Sequence, residues 1–253
     1  MDLQLTGSTA LVTGGTRGIG RAIVECFAAE GANVAFCARD PEEIAAVEAH
    51  FAGSPVAVVG TALDVRDGAA IVQWVEASAS RFGGIDAVVS NVSALAIPDT
   101  EQNWVDSFEV DLMGTVHLVK AAVPFLERSA SASIVAISSV SGREVDFASG
   151  PYGTVKSALI GYIAGVAFQL AASGIRANTV SPGNTYEAGG VWASIEQGNP
   201  ELFGMALGLN PTGRMGTPQE VAASVVFLSS PLSSRTTGAN LLVDGGLSRG
   251  IQF

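Results

Sequence analysis

Short runs of β-branched and other apolar residues alternate with longer segments of helical periodicity along the whole chain. The apolar runs predict seven strands, at Thr9–Val12, Asn33–Cys37, Val56–Thr61, Ala87–Ser90, Ser133–Ser138, Arg176–Val180 and Ala239–Val243. The segments between them predict helices at Ile19–Glu30, Pro41–Phe51, Ala69–Phe82, Trp104–Val123, Tyr152–Ala172 and Pro218–Leu228. Regular alternation of strand and helix indicates a doubly wound α/β fold, a parallel sheet with helices on both faces.

The chain shows no internal repeat and no low-complexity linker, so we predict a single domain over residues 1–253. One segment differs in composition from the rest. Residues 186–211, between the sixth strand and the last helix, are rich in Gly, Asn and large apolar side chains. We interpret this segment as a lid within the domain.

Composition narrows the classes of partner. Hydrophobic residues make up 48% of the chain and charged residues 15%, which indicates a large core and apolar surface for partner subunits. A net charge of −11 argues against nucleic acid and anionic membranes as partners. Apolar runs are broken before the roughly 18 residues that span a bilayer, and no leader pattern precedes the first strand. We therefore expect a soluble, cytoplasmic protein.

Metal and disulfide chemistry are not indicated. Cys26 lies in a helical pattern and Cys37 in a strand pattern, so two buried free thiols are expected. His50 and His117 are the two histidines, and they do not form a metal-ligand cluster by spacing.

A glycine-rich turn follows the first predicted strand, in the segment Thr13–Gly20. Gly14, Gly18 and Gly20 would let the backbone approach a pyrophosphate while the N–H groups of the next helix face it. The alternative is a plain turn that needs glycine only for its geometry. The strand–turn–helix context favours dinucleotide binding.

A candidate catalytic set lies in the second half of the chain. Tyr152 and Lys156 are four residues apart and would share a helix face, where an ammonium group stabilises a phenolate and makes the phenol a usable general acid. Ser139 ends an apolar run thirteen residues before Tyr152.

Together these motifs resemble the short-chain dehydrogenase/reductase family, and the resemblance runs from about Thr6 to Gly246. Three further segments match the family in order and spacing: Leu63–Val65, Asn178–Gly183 and Val243–Gly246. The resemblance implies a Rossmann fold with about seven parallel strands. It also implies a homotetramer formed through the predicted helices Trp104–Val123 and Tyr152–Ala172 and the C-terminal strand.

The resemblance and the charges around the second strand imply NADP(H) as cofactor. Ala38 stands where an NAD-selective member carries an acid, Arg39 follows it, and Arg17 adds a second cation. Asp40, one residue later, is a possible partner that would weaken the role of Arg39. The cofactor-binding residues implied by the family motifs are Gly14, Thr16, Arg17, Gly18, Ile19, Gly20, Arg39, Asp64, Val65, Asn91, Tyr152, Lys156, Pro182, Gly183 and Thr185.

By the same resemblance, Tyr152 exchanges a proton with a substrate oxygen as hydride moves between the nicotinamide and carbon. Ser139 would bind that oxygen, and Lys156 would hold the ribose and assist the phenol. The lid and its surroundings offer a roomy apolar pocket for a small-molecule substrate, or simply pack against the body. The residues concerned are Phe147, Tyr186, Val191, Trp192, Phe203 and Met205.

The chain departs from the family pattern at three places. Asp111 stands where Asn is usual, and a carboxylate near Lys156 would raise the pKa of the lysine. Ser90–Ser93 replaces an Asn-Asn-Ala-Gly turn and keeps only Asn91. Glu187 replaces a threonine that follows the Pro182–Gly183 motif.

We expect an NADP(H)-dependent reductase or dehydrogenase acting on a carbonyl or alcohol. Two alternatives stay open. A 3-oxoacyl-carrier-protein reductase would need a basic surface for its acidic carrier, which a charge of −11 disfavours. A non-catalytic nucleotide-binding sensor or scaffold would be expected to lack part of the set Ser139, Tyr152 and Lys156.

Overall fold

The computed structural model describes residues 2–250 of the chain. Its centre is a seven-stranded sheet in the order β3-β2-β1-β4-β5-β6-β7, with every neighbouring pair parallel. The strands are β1 Thr9–Thr13, β2 Asn33–Ala38, β3 Val58–Ala62, β4 Ala87–Ser90, β5 Ser133–Ile137, β6 Arg176–Pro182 and β7 Asn240–Val243. The predicted fold class is confirmed. The order reverses between β1 and β4, and such a switch point is where parallel α/β sheets bind ligands.

Helices cover both faces of the sheet. They are α1 Gly18–Ala29, α2 Pro41–His50, α3 Gly68–Phe82, α4 Glu101–Asp106, α5 Gly114–Leu126, α6 Pro151–Leu170, α7 Val191–Gly198, α8 Pro200–Gly208 and α9 Pro218–Ser229. One apolar layer lies between the sheet and α1, α2 and α9, and the other between the sheet and α3, α5 and α6. Both faces are buried, which is why the central strands are apolar throughout instead of alternating.

The predicted bounds of the strands agree with the observed ones within about two residues. In two helical regions the structure contains more elements than the sequence predicted. The predicted helix Trp104–Val123 is part of a longer run that begins after the N-cap Thr100, whose hydroxyl accepts a hydrogen bond from Asn103 N. Between α4 and α5 this run passes through a π-helical segment, Ser107–Met113. The predicted lid, residues 186–211, contains α7 and α8, which periodicity in so short a segment did not reveal.

One helix departs from the expectation that no segment is apolar over a membrane-spanning length. The segment Pro151–Ser173 is long and apolar enough, by length and composition, to span a bilayer. Glycines and Lys156 interrupt the apolar run of this helix, but its mean hydropathy over 18 residues stays high. Residues of this helix such as Leu159 and Ile163 pack into the core against the sheet. Of the two thiols, Cys37 is buried as expected, but Cys26 is half-buried, and both are free.

Candidate active site

A cleft of about 1590 Å³ opens along the carboxyl ends of the strands, beside the switch point between β1 and β4. Every residue predicted to bind cofactor or act in catalysis lines this cleft. They are Gly14, Thr16, Arg17, Gly18, Ile19, Gly20, Arg39, Asp64, Val65, Asn91, Ser139, Tyr152, Lys156, Pro182, Gly183 and Thr185. Because the strands are parallel, segments far apart in sequence end at the same edge of the sheet.

The glycine-rich turn needs its glycines. Gly14 and Gly18 have positive φ angles of 73° and 59°. A Cβ atom on Gly20 would lie 1.9 Å from the carbonyl oxygen of Gly14, so no other residue fits without moving the backbone. The turn therefore presents bare backbone at the start of α1, and this cradle suits the phosphates of a dinucleotide.

Asn91 supports this turn from the side. Its Nδ2 donates to the carbonyl oxygens of Thr13 (3.0 Å) and Gly14 (3.3 Å), and its backbone N–H donates to Thr13 Oγ1 at 2.9 Å. Asn91 thus joins the end of β4 to the end of β1 and fixes the cradle. The sequence marked Asn91 as a cofactor residue but contained no signal for this cross-strand bond.

Glu187 occupies the phosphate side of the turn. The backbone N–H of Gly18, which opens α1, donates to Glu187 Oε1 at 3.1 Å. This carboxylate uses an amide that the glycine motif would offer to a phosphate. A phosphate that accepts from Gly18 N would have to displace the Glu187 carboxylate. The replacement of a family threonine was visible in the sequence, but the contact was not.

The two predicted arginines lie at one end of the cleft, both exposed. Asp40 does not weaken Arg39 by pairing with it, because its carboxylate caps α2 and accepts a hydrogen bond from Glu42 N at 2.8 Å. Glu43 accepts a hydrogen bond from Thr16 Oγ1 at 2.7 Å. The end of the cleft that contains the two arginines therefore also contains the Glu43 carboxylate, which is hydrogen-bonded to the glycine-rich turn.

Two further predicted cofactor residues, Asp64 and Thr185, have hydrogen-bond partners in the structure. Asp64 pairs with Arg66 at 2.6 Å, and this hydrogen bond is the main reason why the pKa of Asp64 lies below its ordinary value. Thr185 Oγ1 donates to the carbonyl oxygen of Gly183 at 3.1 Å. Gly183 itself lies against Asp244, where a Cβ atom would come within 2.8 Å of that side chain.

The candidate catalytic residues come from the end of β5 and the first turns of α6. Ser139 is buried, and its hydroxyl accepts a hydrogen bond from Ser141 N at 3.2 Å. Helix α6 starts with Pro151 at its first position, a residue whose fixed φ suits a helix start. Tyr152 and Lys156 follow, and Lys156 Nζ lies 5.7 Å from the centre of the Tyr152 ring.

Close backbone packing holds α6 against the turn after β5. A Cβ atom on Gly142 would lie 2.8 Å from the carbonyl carbon of Lys156, and one on Gly153 would lie 2.8 Å from the carbonyl oxygen of Ser141. Ser138 Oγ donates to the carbonyl oxygen of Lys156 at 2.9 Å. These contacts fix the position of α6 relative to Ser139.

Lys156 is buried and paired. Its side chain is 2% exposed, and Nζ lies 3.0 Å from Asp111 Oδ1 and 3.0 Å from the carbonyl oxygen of Ile137. Burial by itself lowers the pKa of Lys156, but the charges of Asp111 and Tyr152 outweigh it and raise that pKa above its ordinary value. The expected effect of Asp111 on the lysine pKa is therefore present.

Aromatic side chains of the predicted lid segment form a small cluster with Phe147. Trp192 meets Phe147 and Phe203 edge to face, with ring centres 6.1 and 6.5 Å apart. Of the six predicted pocket residues, Phe147, Val191, Trp192 and Met205 line the cleft. Tyr186 and Phe203 do not line it; they contact each other, and Tyr186 Oη donates to Glu196 Oε2 at 2.6 Å.

Metal-ligand clusters are absent from residues 2–250, where no group of three His, Cys, Asp or Glu side chains is placed to hold an ion. The expectation of a metal-free site stays a prediction for the chain as a whole.

A parallel sheet with a glycine cradle at its switch point, and a Ser, Tyr and Lys in the same cleft, defines a dinucleotide-dependent oxidoreductase of Rossmann type. Comparison with known proteins agrees. A family model described as enoyl-(acyl carrier protein) reductase matches residues 14–248. Isoepoxydon dehydrogenase of Penicillium expansum is 42% identical over 98% of this chain and 98% of its own.

Solved structures with about 30% sequence identity share the fold over nearly the whole chain. An NADPH-bound short-chain oxidoreductase of Pseudomonas aeruginosa PAO1 has a TM-score of 0.89 and 31% identity, covering 97% of this chain and 99% of its own. A short-chain dehydrogenase of Burkholderia cenocepacia J2315 in complex with NADP has a TM-score of 0.86 and 30% identity, covering 96% and 99%. The chain belongs to the short-chain dehydrogenase/reductase family.

Proposed function

We propose that this oxidoreductase interconverts a ketone or aldehyde and the corresponding alcohol on an apolar small molecule, with NADP(H) as cofactor. The observation that carries the proposal is the single cleft that contains both the arginines beside the glycine cradle and the set Ser139, Tyr152 and Lys156. The NADPH- and NADP-bound neighbours support the choice of cofactor. When bound, the nicotinamide supplies or accepts the hydride.

The chain's own residues would do the remaining work. Tyr152 donates its hydroxyl proton to the carbonyl oxygen during reduction and takes it back during oxidation. Ser139 donates a hydrogen bond to the same oxygen and keeps it near the phenol. Lys156, held as a cation beneath the Tyr152 ring, stabilises the phenolate that proton transfer leaves behind.

The cradle and the arginines bind and orient the cofactor. Gly14, Gly18 and Gly20 receive the pyrophosphate, while Arg17 and Arg39 pair with the ribose phosphate that distinguishes NADP(H) from NAD(H). Asp64 and Val65 flank the adenine, Asn91 lies in the turn beside the nicotinamide ribose, and Pro182, Gly183 and Thr185 flank the nicotinamide. Residues 186–211 act as a lid within one domain and exclude water from the reaction.

Apolar side chains define the substrate class. Phe147, Val191, Trp192 and Met205 bring aromatic and aliphatic surface to the cleft, so we infer a bulky, largely apolar carbonyl compound. We also retain the expectations of a homotetramer and of a cytoplasmic location as part of this proposal.

The test is consumption of NADPH, followed by its absorbance, against a panel of bulky cyclic and aromatic ketones, with NADH in parallel. Tyr152→Phe should lower kcat by about 10²–10⁴-fold while NADPH still binds, because only the proton donor is lost. Tyr162→Phe, a matched change on the same helix, should leave kcat unchanged. Near-normal turnover by Tyr152→Phe would remove the phenol from the reaction and overturn the assignment.

Two arms of the assay address the alternatives. A 3-oxoacyl thioester on carrier protein should be a poorer substrate than the free ketones, because a net charge of −11 repels an acidic carrier. NADPH binding without turnover of any carbonyl compound would favour a nucleotide sensor.

A further inference from the structure

Asp111 and Lys156 form a pair of opposite charges in the interior, beneath the cleft. Oδ1 and Nζ are 3.0 Å apart, and each side chain is 2% exposed. Opposite charges removed from water attract one another far more strongly than a pair on the surface. The pair is therefore able to fix the position of the lysine, which an exposed ion pair of equal length would not do.

The donors of Lys156 are limited. An ammonium group has three N–H donors. One donates to the carbonyl oxygen of Ile137, and Nζ also lies 3.0 Å from Asp111 Oδ1 in an ion pair. The centre of the Tyr152 ring lies 5.7 Å from the same Nζ, so the carbonyl oxygen, the carboxylate and the phenol ring share one ammonium group.

The carboxylate of Asp111 is engaged on both oxygens. Oδ2 accepts a hydrogen bond from Ala94 N at 2.8 Å, and within residues 2–250 Oδ1 has no polar partner besides Lys156. The carbonyl oxygen of Asp111 accepts a hydrogen bond from Thr115 Oγ1 at 2.7 Å. Asp111 thus joins the π-helical segment, the loop after β4 and the lysine of α6.

The loop after β4 is held in an unfavourable conformation. Leu95, next to Ala94, has a φ of 51°, a value that costs energy for a residue with a branched side chain. Leu95 also lines the cleft. The bond from Ala94 N to Asp111 stabilises this conformation, so the same carboxylate shapes the cleft wall and holds the lysine.

We propose that Asp111 is a positioning residue: its carboxylate fixes Lys156 and the loop at Ala94, and it reduces the net positive charge that acts on Tyr152. The inference rests on the proposed function, in which Tyr152 is the proton donor. Asp111 on the π-helical segment and Tyr152 on α6 are the charged or titratable groups that act on Lys156 in the described part of the chain.

Replacing the Asp111 carboxylate with an amide should lower the pKa of Tyr152. In Asp111→Asn, Lys156 loses its anion, so its cation stabilises the Tyr152 phenolate more strongly. The phenolate then forms at lower pH. For the same reason the pH–rate profile for oxidation and that for reduction both move to lower pH, by about one pH unit.

The experiment compares pH–rate profiles of the unaltered enzyme, Asp111→Asn and Glu109→Gln. Glu109→Gln removes the same charge from the same segment, but Glu109 is exposed and has no contact with Lys156. We expect the shift in Asp111→Asn alone, with the KM for NADPH changed less than kcat. A fall in kcat without a shift, or an equal shift in both variants, would overturn the proposal.

A second readout needs no substrate. The absorbance of phenolate is measured against pH, without cofactor, for the unaltered enzyme, Asp111→Asn and Glu109→Gln. For each of the three proteins, the absorbance of the same protein carrying Tyr152→Phe is subtracted, which leaves the titration of Tyr152. The midpoint should fall in Asp111→Asn and not in Glu109→Gln. This readout separates the two hypotheses, because it reports on Asp111 even if no ketone is turned over and the proposed function fails.

A third readout uses the unaltered chain, in case Asp111→Asn does not fold. The sequence contains two lysines, Lys120 and Lys156, so the NMR spectrum of protein with ¹³C-labelled lysine shows two lysine signals, which Lys120→Arg assigns. The chemical shift of Lys156 should titrate at higher pH than that of a free lysine. A change at lower pH would mean that Asp111 does not hold the cation, and it would overturn the proposal.

Discussion

The two ends of the site are built differently. The floor of the cleft, which consists of Ser139, Lys156 and Asp111 with Tyr152 above them, is buried apart from the phenol and held by the core. The cofactor rim, which consists of Arg17, Arg39 and Glu187, is exposed or half-buried and attached to turns. Under the proposed function, the chemistry that depends on sub-ångström placement is located where packing fixes side chains. Selectivity among cofactors is then located where a single substitution changes charge without disturbing the core.

The largest expected effect is that of a substitution in the glycine cradle, which lies between the two ends of the site. Gly20→Ala places a Cβ atom 1.9 Å from Gly14 O, so the backbone must move, at a cost of about 3 kcal/mol in the free energy of unfolding. NADPH affinity should fall as well. Denaturant unfolding and NADPH fluorescence would measure both.

The matched control for that change is Gly204→Ala in α8. A Cβ atom on Gly204 meets nothing within 4 Å, so alanine should stabilise the helix by about 0.5–1 kcal/mol. If Gly20→Ala were as stable as Gly204→Ala, the tight packing of the cradle would be refuted.

Arg39→Asp should come next in size. A contact with the ribose phosphate becomes a repulsion, so NADPH should bind about 10- to 100-fold more weakly, while NADH should bind as before. Titration of both cofactors by fluorescence measures the ratio. Arg235→Asp, the same change at an exposed position outside the cleft, serves as control. Equal affinity of the unaltered chain for NADH and NADPH would contradict the assignment.

Glu187→Gln should have a smaller effect, which raises the affinity for NADPH and lowers the stability of the free enzyme. NADPH should bind about three- to tenfold more tightly, because the carboxylate no longer competes with phosphate for Gly18 N. The free enzyme should lose about 0.3–1 kcal/mol, because an acid at the start of α1 stabilises that helix. Calorimetry in both states tests this, with Glu76→Gln, an exposed change in the middle of α3 and outside the cleft, as control. A loss of NADPH affinity would show that Glu187 helps to bind the cofactor.

The smallest expected effect lies between the lid and α9. Arg214 is the main cause of the low pKa of Glu220, which is about 2 against an ordinary value of 4.5. A carboxyl group with a lowered folded-state pKa stabilises the fold above pH 4.5, and that stabilisation is lost as the pH falls toward 2. Both groups are exposed, so the contribution is small. Arg214→Gln should flatten the fall of Tm between pH 4.5 and 2, relative to Arg235→Gln.

Local sequence determined most of the architecture. Apolar runs bounded by Gly, Asp and Ser located the seven strands, and α/β alternation implied their parallel arrangement before any contact was known. The candidate site was readable for a similar reason. A four-residue spacing on a helix and a glycine turn at the start of another are local geometries, so Tyr152, Lys156 and the cradle could be identified from their motifs.

Other features depended on contacts between distant segments. The pairing of Asp111 with Lys156 needs the π-helical segment to face α6 across 45 residues of sequence, and the bond from Gly18 N to Glu187 joins residues 169 positions apart. The sequence identified Asp111 and Glu187 as departures from the family pattern, but not the partner of Glu187 or the geometry of either contact. Backbone periodicity is a local property of the chain, whereas burial, charge pairing and hydrogen-bond partners arise only when the sheet brings its loops to one edge.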